Sequence, residues 1–93
     1  YHSQGRVIYW NYLNMASQEA LRIANLFSRA SGYTVSTVPY EAAYAGFKDW
    51  FIKEFKRPGF TIEVGLGKNP LPISQFNTIY NENEEIMLLS PLL

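Results

Sequence analysis

The sequence predicts an α/β fold in which helices flank a mixed, mostly parallel sheet. Three observations carry that expectation. Runs rich in β-branched and aromatic residues alternate along the chain with stretches whose apolar positions recur at helical spacing. Turn-forming residues separate them at Gly32, Pro39, Pro58-Gly59 and positions 69–72. The 93 residues are 47% hydrophobic and 17% charged, a balance that suits one small core and excludes disorder for most of the chain.

The first strand is Arg6-Val7-Ile8-Tyr9-Trp10, β-branched and aromatic. Asn11, Asn14 and Ser17 mark the loop after it, and Asn14 or Ser17 can cap the next helix. Ala20, Ile23, Ala24, Phe27 and Ala30 form one stripe of that helix, over 17–31, with Arg22 and Arg29 on its solvated side. Gly32 supplies the left-handed residue that ends helices. Residues 33–38 alternate polar and apolar, a half-buried strand stopped by Pro39. A loop rich in Ala and Tyr runs over 40–46. Phe47, Phe51 and Phe55, with Trp50 beside them, return to helical spacing until Pro58-Gly59 breaks it.

Phe60-Thr61-Ile62-Glu63-Val64 is a third strand leading into Gly65-Leu66-Gly67, and 69–72 is a turn. The final helix spans 73–89, with Phe76, Ile79, Tyr80 and Met87 on its apolar stripe. Glu82, Glu84 and Glu85 read as a solvated face, although acids late in a helix oppose the macrodipole. Three strands are few for a parallel sheet, which is normally covered on both faces. Residues 1–93 are therefore expected to be about half of an α/β domain. An edge and a face left bare would make the isolated chain self-associate.

Eight basic and eight acidic residues cancel, which argues against a nucleic-acid footprint or a polybasic membrane patch. No apolar run approaches the ~20 residues of a membrane span. The absence of cysteine excludes disulfides, thiolate zinc sites and cysteine nucleophiles, and leaves the compartment open.

Glu63 is the first candidate for chemistry. It interrupts an apolar strand just before a Gly-Leu-Gly loop, and in open α/β sheets sites form outside the carboxyl ends of strands. A carboxylate there suits general acid–base work. The alternative is a Glu on the solvent-facing side of an edge strand. His2, the only histidine, is the one candidate metal ligand, or else a surface residue. Catalytic zinc needs three protein ligands, and no H-x-x-E or H-E-x-x-H supplies the others. Gly65-Leu66-Gly67-Lys68 lacks the spacing of a phosphate loop, and a lone His without an assigned acidic partner supports no serine triad.

Taken together, Tyr1-His2-Ser3-Gln4, Ala45-Gly46-Phe47-Lys48-Asp49-Trp50 and Phe60-Thr61-Ile62-Glu63 have a specific layout, with Asp49 and Glu63 fourteen positions apart. This resembles the C-terminal half of the zinc carboxypeptidase (carboxypeptidase A-like) family. There an H-S motif gives the third zinc ligand, and G-x-x-D-W precedes an F-T-x-E strand bearing the catalytic glutamate. With Tyr1-His2-Ser3-Gln4-Gly5, Val7-Ile8-Tyr9-Trp10 and Phe60-Thr61-Ile62-Glu63-Val64-Gly65, the pattern is most similar to bacterial γ-D-glutamyl-meso-diaminopimelate endopeptidases. These cut peptidoglycan stem peptides in sporulating Gram-positive bacteria.

The resemblance runs from position 1 to about 89. It implies zinc as cofactor, His2 as the third ligand and Glu63 as the catalytic carboxylate. It also implies Ser3 in the substrate groove and Lys48 at the floor of the pocket for the residue after the cut. A lysine there would favour the extra carboxylate of diaminopimelate; the alternative is an exposed helix-start lysine. The family's mobile tyrosine is matched imperfectly. Ungapped counting reaches Glu41, with Tyr40 and Tyr44 nearby, and Tyr44 is preferred.

The family's first two zinc ligands and its substrate-binding arginines lie upstream of Tyr1, so the isolated chain is expected to be inactive. The implied function is the C-terminal part of a zinc peptidase acting on peptidoglycan stem peptides, extracytoplasmic or in the cell wall. The alternatives are a general metallocarboxypeptidase fragment and a non-catalytic muropeptide-binding module.

Overall fold

The computed structural model describes residues 1–13, 15–38 and 46–93. Along the chain run β1 (His2–Ser3), β2 (Val7–Tyr9), α1 (Gln18–Ser31), β3 (Thr34–Ser36), α2 (Phe47–Phe55) and β4 (Thr61–Val64). A 3-10 turn over Ile73–Gln75 leads into α3 (Phe76–Leu89), and a second turn covers Ser90–Leu92. The α/β architecture is the expected one, with one strand more than the sequence suggested. The loop expected over 40–46 lies, except for Gly46, outside the described residues.

Local signals account for the boundaries. Ser17 caps α1 by accepting the Ala20 N–H at 3.2 Å. Gly32 closes the helix at φ 78°, its N–H bonded to the Ser28 carbonyl at 2.8 Å. At the start of α2 the Asp49 carboxylate reaches back to the Gly46 N–H at 3.1 Å.

The sheet order is β1-β4-β2-β3. β1 runs parallel to β4 and β2 parallel to β3, while β2 and β4 are antiparallel. β4, which carries Glu63, is thus an interior strand, and the edges are β1 and β3. Ile8 and Ile62 lie directly opposite each other, and both are buried with Ile23, Ala24, Phe27 and Ile86 of α1 and α3. The core therefore sits between one face of the sheet and these two helices. Strand alternation turns Val7 and Glu63 to the other face.

The final helix departs from its expected stripe. Ile86 and Asn83 are buried, whereas Phe76, Tyr80 and Met87 are all more than 40% exposed. Glu82 is not part of a solvated face, though Glu84 and Glu85 are exposed. Its carboxylate bonds Arg6 Nη2 at 2.6 Å and accepts the Tyr33 hydroxyl at 2.8 Å. The Asn83 amide donates to that hydroxyl at 3.0 Å and to the Ile79 carbonyl at 2.9 Å. The Arg6 guanidinium lies over the Tyr33 ring, 5.4 Å from its centre. These bonds offset the burial of polar groups on the inward face of α3, although Asn83 Oδ1 and Arg6 Nε are buried without a partner.

Burial, and then the bond to Glu82, push the Tyr33 hydroxyl up to about 12 from 10.0. Below pH 10 both folded and unfolded chains keep the proton. Between about pH 10 and 12 the unfolded chain loses it first, so stability falls across that window. Urea unfolding midpoints measured from pH 8 to 12 should show a steeper alkaline decline for the parent chain than for Tyr33→Phe. The variant should lose about 1 kcal/mol at pH 8. Parallel declines would show that Tyr33 holds no raised proton.

Candidate functional site

Two of the sequence-predicted site residues meet across a strand pair. β1 and β4 are parallel and in register, His2 opposite Glu63 and Ser3 opposite Val64. Residues opposite each other on neighbouring strands, ~4.8 Å apart, turn their side chains to the same face. His2 is exposed and Glu63 half-buried. On its other side Glu63 is opposite Val7 of β2. The carboxylate thus stands at the carboxyl end of an interior strand whose backbone is held from both sides, which removes the edge-strand alternative.

The loop after Glu63 is tied down closely. Gly65, at φ 75°, accepts the Gly5 N–H on its carbonyl at 2.9 Å. Gln75 clamps Leu66 twice, accepting its N–H at 3.0 Å and donating to its carbonyl at 2.8 Å. Further on, Asn69 clamps Ser3. The Ser3 hydroxyl donates to Asn69 Oδ1 at 2.7 Å, and Asn69 Nδ2 donates to the Ser3 carbonyl at 3.2 Å.

Lys48 is elsewhere. It is only 3% exposed, which removes the exposed helix-start reading. Its ammonium bonds the carboxylate of Asp49, itself 4% exposed, and the carbonyl of Asn11. It lines a cavity of about 560 Å³ together with Tyr1, Phe47, Phe51, Phe60 and Ile86. His2, Ser3 and Glu63 are not among the cavity's lining residues, and Ile62, which is, faces the core. The structure does not bring Lys48 into the His2–Glu63 pair. Tyr44, like Tyr40 and Glu41, lies outside the described residues.

Among the described residues no group of three or more His, Asp or Glu side chains could hold a metal ion. A single imidazole is one ligand and not a zinc site, since catalytic zinc takes three ligands from protein and one from water. What the arrangement does without help is present a carboxylate and an imidazole side by side on one sheet face. Sequence reasoning missed Asn69, Gln75 and Asp49. Asp49 had a readable signal, an acid three residues after a helix-starting Gly. The partners of Asn69 and Gln75 are distant or depend on how the loop folds, so these two had none.

Among known proteins, Gamma-D-glutamyl-L-diamino acid endopeptidase 1 of Lysinibacillus sphaericus is 52% identical over 90 residues, covering 95% of this chain and 22% of that protein. The chain is similar to a peptidase. It is also 41% identical over 86 residues to the uncharacterized protein YqgT of Bacillus subtilis (strain 168), covering 92% of this chain and 23% of that protein. The chain therefore spans less than a quarter of the length of either relative. No family model matches it, and no solved structure does.

At the start of the loop after Glu63, Gly65 leaves little room for a side chain. A Cβ on Gly65 would stand 2.4 Å from Leu71 Cδ1 and 2.9 Å from Gln75 Oε1, at a φ that L-residues avoid. Gly65→Ala should cost about 2–4 kcal/mol in urea unfolding. A loss below about 0.5 kcal/mol would mean that this loop is not packed against α3 as described.

Proposed function

We propose that this chain is part of a zinc peptidase hydrolysing γ-D-glutamyl-diaminopimelate bonds of peptidoglycan stem peptides, with Glu63 as its proton-transferring carboxylate. The observation that carries the reading is the register of His2 with Glu63. The identity to an enzyme named as a γ-D-glutamyl-L-diamino acid endopeptidase supports the substrate class. Amide hydrolysis requires a base to take a proton from water and an acid to return one to the departing amine. One carboxylate can serve both steps, ionised first and protonated second. Glu63 suits that work because its strand is bonded on both sides and the residue is half-buried.

We assign His2 as one zinc ligand, the others lying outside the described residues. The described residues alone do not fit a complete zinc centre. Ser3, next to His2, is assigned to the wall of the substrate groove, and Tyr44 is proposed as the mobile, substrate-binding tyrosine. A substrate of this kind implies work at the cell wall, outside the cytoplasm.

In active protein, Glu63→Gln should lower kcat about a thousandfold while zinc content stays unchanged. Full turnover in that variant would remove Glu63 from the chemistry.

Lys48 is proposed to meet the side-chain carboxylate of the diamino acid. Two of its three N–H groups are spent on Asp49 and Asn11, which leaves one. Lys48→Ala should raise KM for diaminopimelate substrates about tenfold with kcat kept. An unaltered KM, with stability lost instead, would assign Lys48 to holding α2 in place.

A further inference from the structure

We propose that Asn69 is a positioning residue that sets His2 against Glu63; this rests on the reading of that pair as the reacting site. β1 is two residues long and lies at an edge of the sheet. So short an edge strand frays readily, because few bonds must open to release it. Its connection onward, the Gly5 N–H on the Gly65 carbonyl, is a single bond. The side-chain amide of Asn69 adds two more, one in each direction, to the hydroxyl and the carbonyl of Ser3. Asn69 is 66 positions away in sequence and sits in the loop that leaves β4. That loop is itself anchored to the start of α3 by the paired bonds of Gln75 to Leu66.

The two amide clamps form a brace from α3 through the loop after Glu63 to the residue after His2. The side-chain hydrogen bonds of Asn69 go to Ser3, not to His2 or Glu63. Asn69 acts by keeping their two strands in register, and a shift of about 1 Å between such groups can cost roughly a hundredfold in rate.

Hydrogen exchange and kinetics test this together. Asn69→Ala should speed exchange of the Gly5 amide about tenfold. The Gly32 amide, bonded to Ser28 at the end of α1, should keep its rate. In active protein the same substitution should lower kcat at least tenfold with KM little changed. Asn69→Asp, which keeps the acceptor for the Ser3 hydroxyl, should recover part of both effects. Equal acceleration at Gly5 and Gly32, or at neither, overturns the proposal. So does faster exchange at Gly5 with kcat unchanged, which would make Asn69 a tether of the strand alone. Should Asn69→Ala fail to fold, Ser3→Ala breaks one of the two bonds from the other side and must give the same local signature. If Glu63→Gln keeps full turnover, the functional reading fails while the exchange result still reports on the brace.

Discussion

Strand β4 lies between the two strands contributed by the first ten residues, and most of the arrangement depends on that placement. β1 and β2 are adjacent in sequence but not in space. The link over residues 4–6 must pass round the carboxyl end of β4 to reach its other side. Such a tight path demands unusual backbone, found at Gly5 with φ 133° and Arg6 with φ 54°. Gly65, at the end of β4, accepts the Gly5 N–H and holds the link down. The outcome is a carboxylate at Glu63 whose backbone has His2 on one side and Val7 on the other. Preorganisation of this kind is what a proton-transferring group needs, since the reacting geometry need not be assembled anew at each turnover.

The opposite face of the sheet is organised by paired polar groups as much as by apolar ones. Arg6, at the end of the link, reaches Glu82 of α3, which also receives the hydroxyl of Tyr33. One carboxylate therefore joins the link, the residue before β3 and the last helix. Lys48 and Asp49 do the same for α2, buried with the Asn11 carbonyl between α2 and the loop after β2. Where the polar side of a helix turns inward, its apolar side is left outward. Phe47, Trp50 and Phe55 of α2 are each more than half exposed. Phe51 joins them in a cluster with neighbouring ring centres 5.1–6.2 Å apart.

Much of the local structure was legible in the sequence. The limits of α2, the Gly32 cap of α1, the three longer strands and the strand position of Glu63 come from periodicity and turn chemistry, which act within a few residues. The site was legible only through the spacing of its motifs, because no local rule makes His2 and Glu63 neighbours. β1 is too short to declare itself by pattern, and it is a strand because β4 pairs with it. The stripe of α3 was misread for a related reason. Phe76, Tyr80 and Met87 are the more hydrophobic choice for the core, yet Asn83 and Glu82 face inward, where Tyr33 and Arg6 meet part of their hydrogen-bonding capacity.

The sequence by itself determined the α/β class, the order of the elements after β1 and the place of Glu63 on a strand. All of these depend on backbone propensity and side-chain type, properties read within a short window of chain. Only the tertiary structure decided that β4 is interior, that Glu63 faces the same way as His2, that Lys48 is buried with Asp49 and that Asn69 reaches Ser3. Those outcomes turn on which distant groups can satisfy one another once water is excluded. An unpaired polar group in the interior costs about 1–3 kcal/mol, more than the local preferences that point the other way.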